Sequence, residues 1–118
     1  MENEPGVYRR ELLKGSTETL LLSLLVVEPM YGYQLVREMG RRSSGYFRFK
    51  EGTLYPALHR LEKEKLVVSS WGSSPSGQNR KYYHITEHGE EKLDSMLQEW
   101  NRFAAAVNLV AQPRPQPS

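Results

Sequence analysis

The sequence contains no cysteine and a single aspartate, Asp94. The first absence excludes a disulfide framework and any thiolate metal site, and it suits a reducing compartment. Asp94 falls on a helix surface, and no Ser/His/acid set or glycine-rich phosphate loop is evident, so an enzyme is not expected. Long hydrophobic runs are missing too. The longest, residues 20–27, is interrupted by Ser23 and falls far short of the ~20 residues that span a bilayer. The opening Met1-Glu2-Asn3-Glu4-Pro5-Gly6 is acidic and polar, unlike a secretory signal. His84 and His88 are four apart, but His84 precedes a helix cap at Thr86 and no third ligand is evident, so a metal is not expected. These absences describe a cytoplasmic protein without cofactor, metal or membrane partner.

What is present is a modest single domain of 118 residues with unevenly placed charge. Residues 37–81 hold ten basic side chains against four acidic, whereas residues 1–36 and 82–118 each hold three against five. A basic middle between acidic flanks suggests one face made for a polyanion. A solvated helix face rich in Arg and Lys is the plainer alternative, and charge alone does not choose between them.

Apolar periodicity divides the chain into helices and a hairpin. A first helix is expected over about residues 8–27, where Leu12, Leu13, Leu20, Leu21, Leu22, Leu24 and Leu25 are too many for one stripe. Such a helix needs its own domain on one side and a partner subunit on the other. Glu28-Pro29 ends it. A second helix follows over about 31–43, with Tyr33, Leu35, Val36 and Met39 as its apolar face, and Gly32 marks close packing or a strained turn. After a Ser43-Ser44-Gly45 loop, Tyr46, Phe47 and Phe49 are expected against the core.

The third helix carries the clearest signal. Thr53 is positioned to cap it, and Pro56 is tolerated if it falls in the first turn. Leu54, Leu58 and Leu61 form a buried stripe, leaving Thr53, Pro56, His59, Arg60 and Lys63 on the opposite face, with Lys50 just before and Tyr55 near the start. Strands are expected over 66–71 and 80–85, joined by a long mobile polar tip over 72–79. Alternation puts Tyr83 and Ile85 on one face and Arg80, Tyr82 and His84 on the other. Asn79, Arg80 and Lys81 follow the tip directly. A polar-faced helix beside a basic hairpin is the arrangement with which a winged helix holds DNA, the helix in the major groove and the wing on the backbone or minor groove. For Arg60, Lys63 and Tyr55 ordinary solvation or packing stays open as the alternative.

Thr86 caps a last helix to about residue 110, with Glu87, Glu90 and Glu91 complementing its dipole. Leu93, Leu97, Trp100, Ala104 and Val107 make a stripe longer than so small a core can cover, as expected of a dimerisation arm. The domain plan is therefore a mainly α chain with a small β-hairpin: a winged helix-turn-helix over 1–86, a dimerisation helix over 87–110, and a Pro-rich disordered tail over 111–118.

The segments LLKGSTETLLLSLLVVEPMYGYQL, EGTLYPALHRLEKEKLV and RKYYHIT with the following EHG resemble the PadR family of bacterial transcriptional regulators, over about residues 11–110. The short branch, with one C-terminal helix, is the better match. The resemblance implies a homodimeric winged helix on an inverted-repeat operator in double-stranded DNA, usually repressing a neighbouring gene. Some similar short members are multidrug sensors, with an apolar cleft at the dimer interface lined by a tryptophan from each subunit. Trp100 falls where that tryptophan does, fourteen residues after Thr86. The wing sequence SSWGSSPSGQNRKYY also resembles that subgroup. Leu12, Thr19, Leu97 and Ala104 are then expected to line a site for a planar hydrophobic effector. Dimer-core packing is the alternative for Trp100. A small-molecule-binding or sequestering dimer without specific DNA recognition is the alternative for the whole chain.

Overall fold

The computed structural model describes residues 15–111. In chain order the elements are α1 (Thr17–Leu25), β1 (Met30–Tyr31), α2 (Gly32–Arg42), α3 (Glu51–Lys63), β2 (Val67–Ser73), β3 (Asn79–Ile85) and α4 (Glu87–Val110). The antiparallel sheet has the order β1-β3-β2. Met30, Leu35, Met39, Leu54, Leu58, Leu61, Val67, Tyr83 and Leu93 pack with the α1 leucines into one core.

The first helix is shorter than its periodicity suggests. Gly15 adopts a left-handed φ of +80° and turns the chain with Ser16, so the helix starts at Thr17. The upstream part of the expected helix, including Leu12, lies outside the described residues. Leu21, Leu22, Leu24 and Leu25 are all buried by the domain itself, against α2, α3, α4 and β3. These four leucines need no second chain to cover them. Among the described residues, α4 carries a run of exposed apolar side chains, Leu97, Trp100, Phe103 and Val107.

Three further expectations change. β1 is a two-residue strand pairing Met30 with Tyr83 and Tyr31 with Tyr82, too short to show a period. The α3 cap is Lys50, with extended backbone, rather than Thr53. Because α3 starts at Glu51, Pro56 sits one turn in, and its missing N–H removes the i→i−4 bond to the carbonyl of Gly52. The wing strands run on to Ser73 and Asn79, and the tip is a closed five-residue turn. Ser74 N donates to Gln78 O at 2.8 Å and Gly77 N to Ser74 O at 2.9 Å, with Gly77 at a φ of +86°. Phe47 and Phe49 pack against the core as expected, whereas Tyr46 and Tyr33 are about half exposed.

The base of α4 is tied to the wing and to the end of α3. Thr86 Oγ1 accepts from Gly89 N at 2.9 Å, capping the helix, and donates to Lys65 O at 2.8 Å. Thr86 N donates to Leu66 O at 3.0 Å. Gly89 leaves no room for a side chain, since a Cβ there would lie 2.1 Å from Leu66 O. Backbone on both sides prevents relief by a rotamer change. Gly89→Ala is therefore expected to destabilise by about 3 kcal/mol, in the upper range for overpacking, and Thr86→Ala by about 1 kcal/mol, the worth of a cap. Denaturant melts monitored by circular dichroism measure both.

Candidate nucleic-acid interface

Helix α3 presents three lanes to solvent. Its core side is Leu54, Ala57, Leu58 and Leu61, all buried. The opposite line, at successive spacings of four, three and four residues, is Gly52, Pro56, His59 and Lys63, all exposed. Thr53 and Arg60 form the shoulder towards α1, and Tyr55 and Glu62 the shoulder towards the wing. The outward position expected for Thr53, Pro56, His59, Arg60 and Lys63 is thus what the fold produces, and Tyr55, left open between contact and packing, lines the wing-side groove. Lys50 is exposed at the α3 cap, Asn79 is exposed at the wing, and Arg80 and Lys81 are half-buried beside it.

Between the wing-side shoulder and the wing runs an open groove of about 570 Å³, lined by Tyr31, Gly32, Tyr33, Glu51, Tyr55, Trp71, Asn79, Arg80, Lys81 and Tyr83. Trp71 pairs with Lys81 across the hairpin and is 73% exposed. The Arg80 guanidinium lies 5.4 Å from the Tyr31 ring centroid and donates through Nη2 to Gln78. Its Nε is buried without a hydrogen-bond partner among the described residues. Gly32 lies close under the Tyr55 ring tip: a Cβ there would be 2.6 Å from Tyr55 Oη and would push that side chain aside. Burial, with the adjacent Glu51 carboxylate that accepts its proton at 2.9 Å, pushes the Tyr55 hydroxyl above its ordinary value. Burial, reinforced by the charge of Glu62, does the same to Tyr83.

Much of the basic middle is locally neutralised. Glu38 takes Arg41 at 2.7 Å and Arg42 at 3.1 Å. The Arg41 guanidinium holds the Glu38 carboxyl down to about 2. Lys81 approaches Glu62 at 4.0 Å, and Arg60 Nε donates to Glu18 Oε2 at 2.8 Å. Lys63, on the central line, has no ion-pair partner among the described residues.

The sequence reading missed Tyr31, Tyr33, Trp71, Glu18 and Glu51. Tyr33 shared a helical period with core residues, and Trp71 shared a strand pattern with them. Only the pairing of Trp71 with Lys81 could have placed it by the groove. Glu18 lies 42 residues from Arg60 and gave no local signal. Among the described residues, those expected to line an effector site are not enclosed within one chain. Leu97 and Trp100 are exposed on α4, Ala104 and Thr19 are half-buried, and Leu12 lies outside the described residues. Among the described residues no group of three His, Cys, Asp or Glu is placed to hold a metal, and no helix is long and apolar enough to cross a membrane.

A helix pair closed by a three-stranded sheet, with α3 turned outward beside a hairpin, is a winged helix-turn-helix. A model of the "Transcriptional regulator PadR-like family" matches residues 21–95. The chain is 32% identical over 84 residues to a transcriptional regulator of Mycobacterium tuberculosis, covering 71% of this chain and 75% of that one. A PadR-like transcriptional regulator of Bacillus cereus superposes with a TM-score of 0.77 at 36% identity, covering 88% of this chain and 99% of that one. A PadR family regulator of Eggerthella lenta gives 0.78 at 31%, covering 92% and 93%. The chain belongs to the PadR-like family of transcriptional regulators. It is accordingly a regulator acting through DNA and not an enzyme.

Gly52 and Lys63 give a direct test of the central line. A Cβ at position 52 would meet nothing within 4 Å, so the fold does not demand glycine there. Gly52→Ala should stabilise the protein by about 0.5 kcal/mol through helix propensity and is expected to weaken DNA binding by adding a methyl to the outward line. Lys63→Ala should reduce the slope of log affinity against log salt by about one unit. Melting curves and fluorescence anisotropy across a salt series read these effects.

Proposed function

We propose that the protein is a homodimeric repressor of a nearby gene, released from its operator by a planar hydrophobic molecule bound between the subunits. The observation that carries this reading is the exposed line Gly52, Pro56, His59 and Lys63 on a helix anchored by three buried leucines beside a basic wing. Rigid anchoring lets the polar face enter a major groove without a large ordering cost. Thr53, Tyr55, Arg60 and Lys50 flank that line, and Asn79, Arg80 and Lys81 reach the adjoining backbone. Two such heads about 34 Å apart fit an inverted repeat.

The second copy is called for by α4. Of its 24 residues only Gly89 and Leu93 are buried, while Leu97, Trp100, Phe103 and Val107 are 37%, 48%, 57% and 43% exposed on one stripe. A helix about 36 Å long, apolar beyond its own core, pairs most simply with its symmetry mate. The Trp100 and Phe103 rings lie 5.8 Å apart. Two Trp100 indoles near a dyad offer flat faces to an aromatic guest, with Ala104 leaving space and Leu97, Thr19 and Leu12 at the margins. A guest of this kind weakens DNA binding only through its preference for one spacing of the two heads.

The deciding experiment is anisotropy of the full chain on DNA upstream of its own gene, against scrambled DNA, over a salt series. Tight, salt-sensitive and sequence-dependent binding is expected, and equal affinity for both duplexes at every salt would remove the reading. Light scattering should give twice the 13.6 kDa chain mass, and Phe103→Glu should lower it to the monomer. Trp100→Ala should retain operator binding but lose the quenching of intrinsic fluorescence by a planar aromatic dye.

A further inference from the structure

We propose that Glu18 is a positioning residue for sequence reading: it fixes Arg60 for an end-on, two-point contact with a guanine edge. This inference rests on the DNA-binding reading above. Arg60 Nε donates to Glu18 Oε2 at 2.8 Å. Among the described residues no hydrogen bond engages the two terminal amino groups of Arg60, and the side chain remains 57% exposed. An arginine tethered through Nε keeps its terminal pair pointed outward. Those two donors are the ones that match the O6 and N7 acceptors of guanine in the major groove.

The tether is anchored at its other end. Glu18 is 25% exposed, against 57% for Arg60, so the carboxylate is the more enclosed partner. It occupies the first turn of α1, where the helix dipole favours a negative charge. The helix behind it is held by four buried leucines. The arginine is thereby ordered before DNA arrives, and less rotamer entropy is lost on contact.

The pair also changes what Arg60 adds to affinity. A free guanidinium attracts any phosphate and strengthens binding to every sequence. Neutralised by Glu18, Arg60 contributes little to that general attraction and retains its directional donors. Glu18 therefore shifts the residue from affinity towards discrimination.

The test uses full-length wild type, E18Q, E18A, R60A and the E18A/R60A double variant. Each is titrated against a duplex enriched by the wild type from a randomised library and against its scrambled counterpart, at several salt concentrations. E18A and R60A should each lower the enriched-over-scrambled ratio about ten-fold, the lower end of what a bidentate base contact supplies. The double variant should fall no further than R60A. E18A should also bind scrambled DNA more tightly, with a salt slope steeper by about one phosphate. E18Q, which keeps an acceptor for Nε but lacks the charge, should preserve most of the ratio while sharing the steeper slope. Replacing guanines of the enriched duplex by 7-deazaguanine should weaken the wild type and spare R60A.

Equal losses on both duplexes, or a 7-deazaguanine effect undiminished in R60A, would assign Arg60 to phosphate and overturn the proposal. An E18A effect that persists in the R60A background would reduce the pair to a structural tie, also overturning it. Should E18A melt early, E18Q and R60A carry the comparison. A wild type that enriches no sequence would bring down the DNA-binding reading and this inference together, whereas a discriminating wild type with an unaltered E18A ratio would bring down this inference alone.

Discussion

The arrangement of the molecule depends on the contact that Thr86 and Gly89 make with the turn after α3. Lys65 there adopts a left-handed φ of +64°, a conformation unfavourable for a side-chain-bearing residue by about 1–2 kcal/mol. The Thr86 hydroxyl bonds the Lys65 carbonyl and caps α4 at once, while the bare backbone of Gly89 lies against Leu66. The end of α3, the start of the wing strand and the base of α4 therefore meet within a few residues. Thr86 and Gly89 thus hold the base of α4, the element proposed to pair two subunits, against the end of α3, the element proposed to read DNA.

Electrostatics on the reading side is governed by pairing more than by total charge. Arg41 and Arg42 are committed to Glu38, Lys81 leans on Glu62 and on the ring of Tyr83, and Arg60 is held by Glu18. Exposed pairs of this kind contribute little to stability. Their effect is to set side-chain direction and to confine unpaired positive charge to a few places, Lys63 among them. A surface built this way favours a ligand of defined shape over an arbitrary polyanion.

The long helix and the reading helix were legible because their signals are local. Thr86 followed by an acidic turn and a heptad-like apolar stripe fixes α4 to the residue, and Leu54, Leu58 and Leu61 fix which side of α3 is buried. Errors arose where distant parts of the chain decide the outcome. Thr53 has the chemistry of a cap, yet Lys50 takes the place because the extended backbone before Glu51 sets the helix start. β1 exists only through its bonds to Tyr82 and Tyr83, about fifty residues later. Leu21, Leu22, Leu24 and Leu25 are covered by three other helices and the sheet, while the upstream leucines, on which the expectation of a second chain also rested, lie outside the described residues. The wing tip contains glycine, proline and serine, which suit a loose loop and a closed turn equally well. The Ser74–Gln78 bond selects the turn.

Helix α4 touches the core only through its first turns, at Gly89 and Leu93 with Met96 packed alongside. Among the described residues, no α4 side chain beyond Met96 belongs to the core cluster. In the proposed dimer, substitutions along that outer stretch change the surface between the two subunits and leave the core that anchors α3 untouched. Such changes retune the proposed effector site while the packing that presents α3 stays as it is. The head is constrained by its packing, and the arm is left open to diversification.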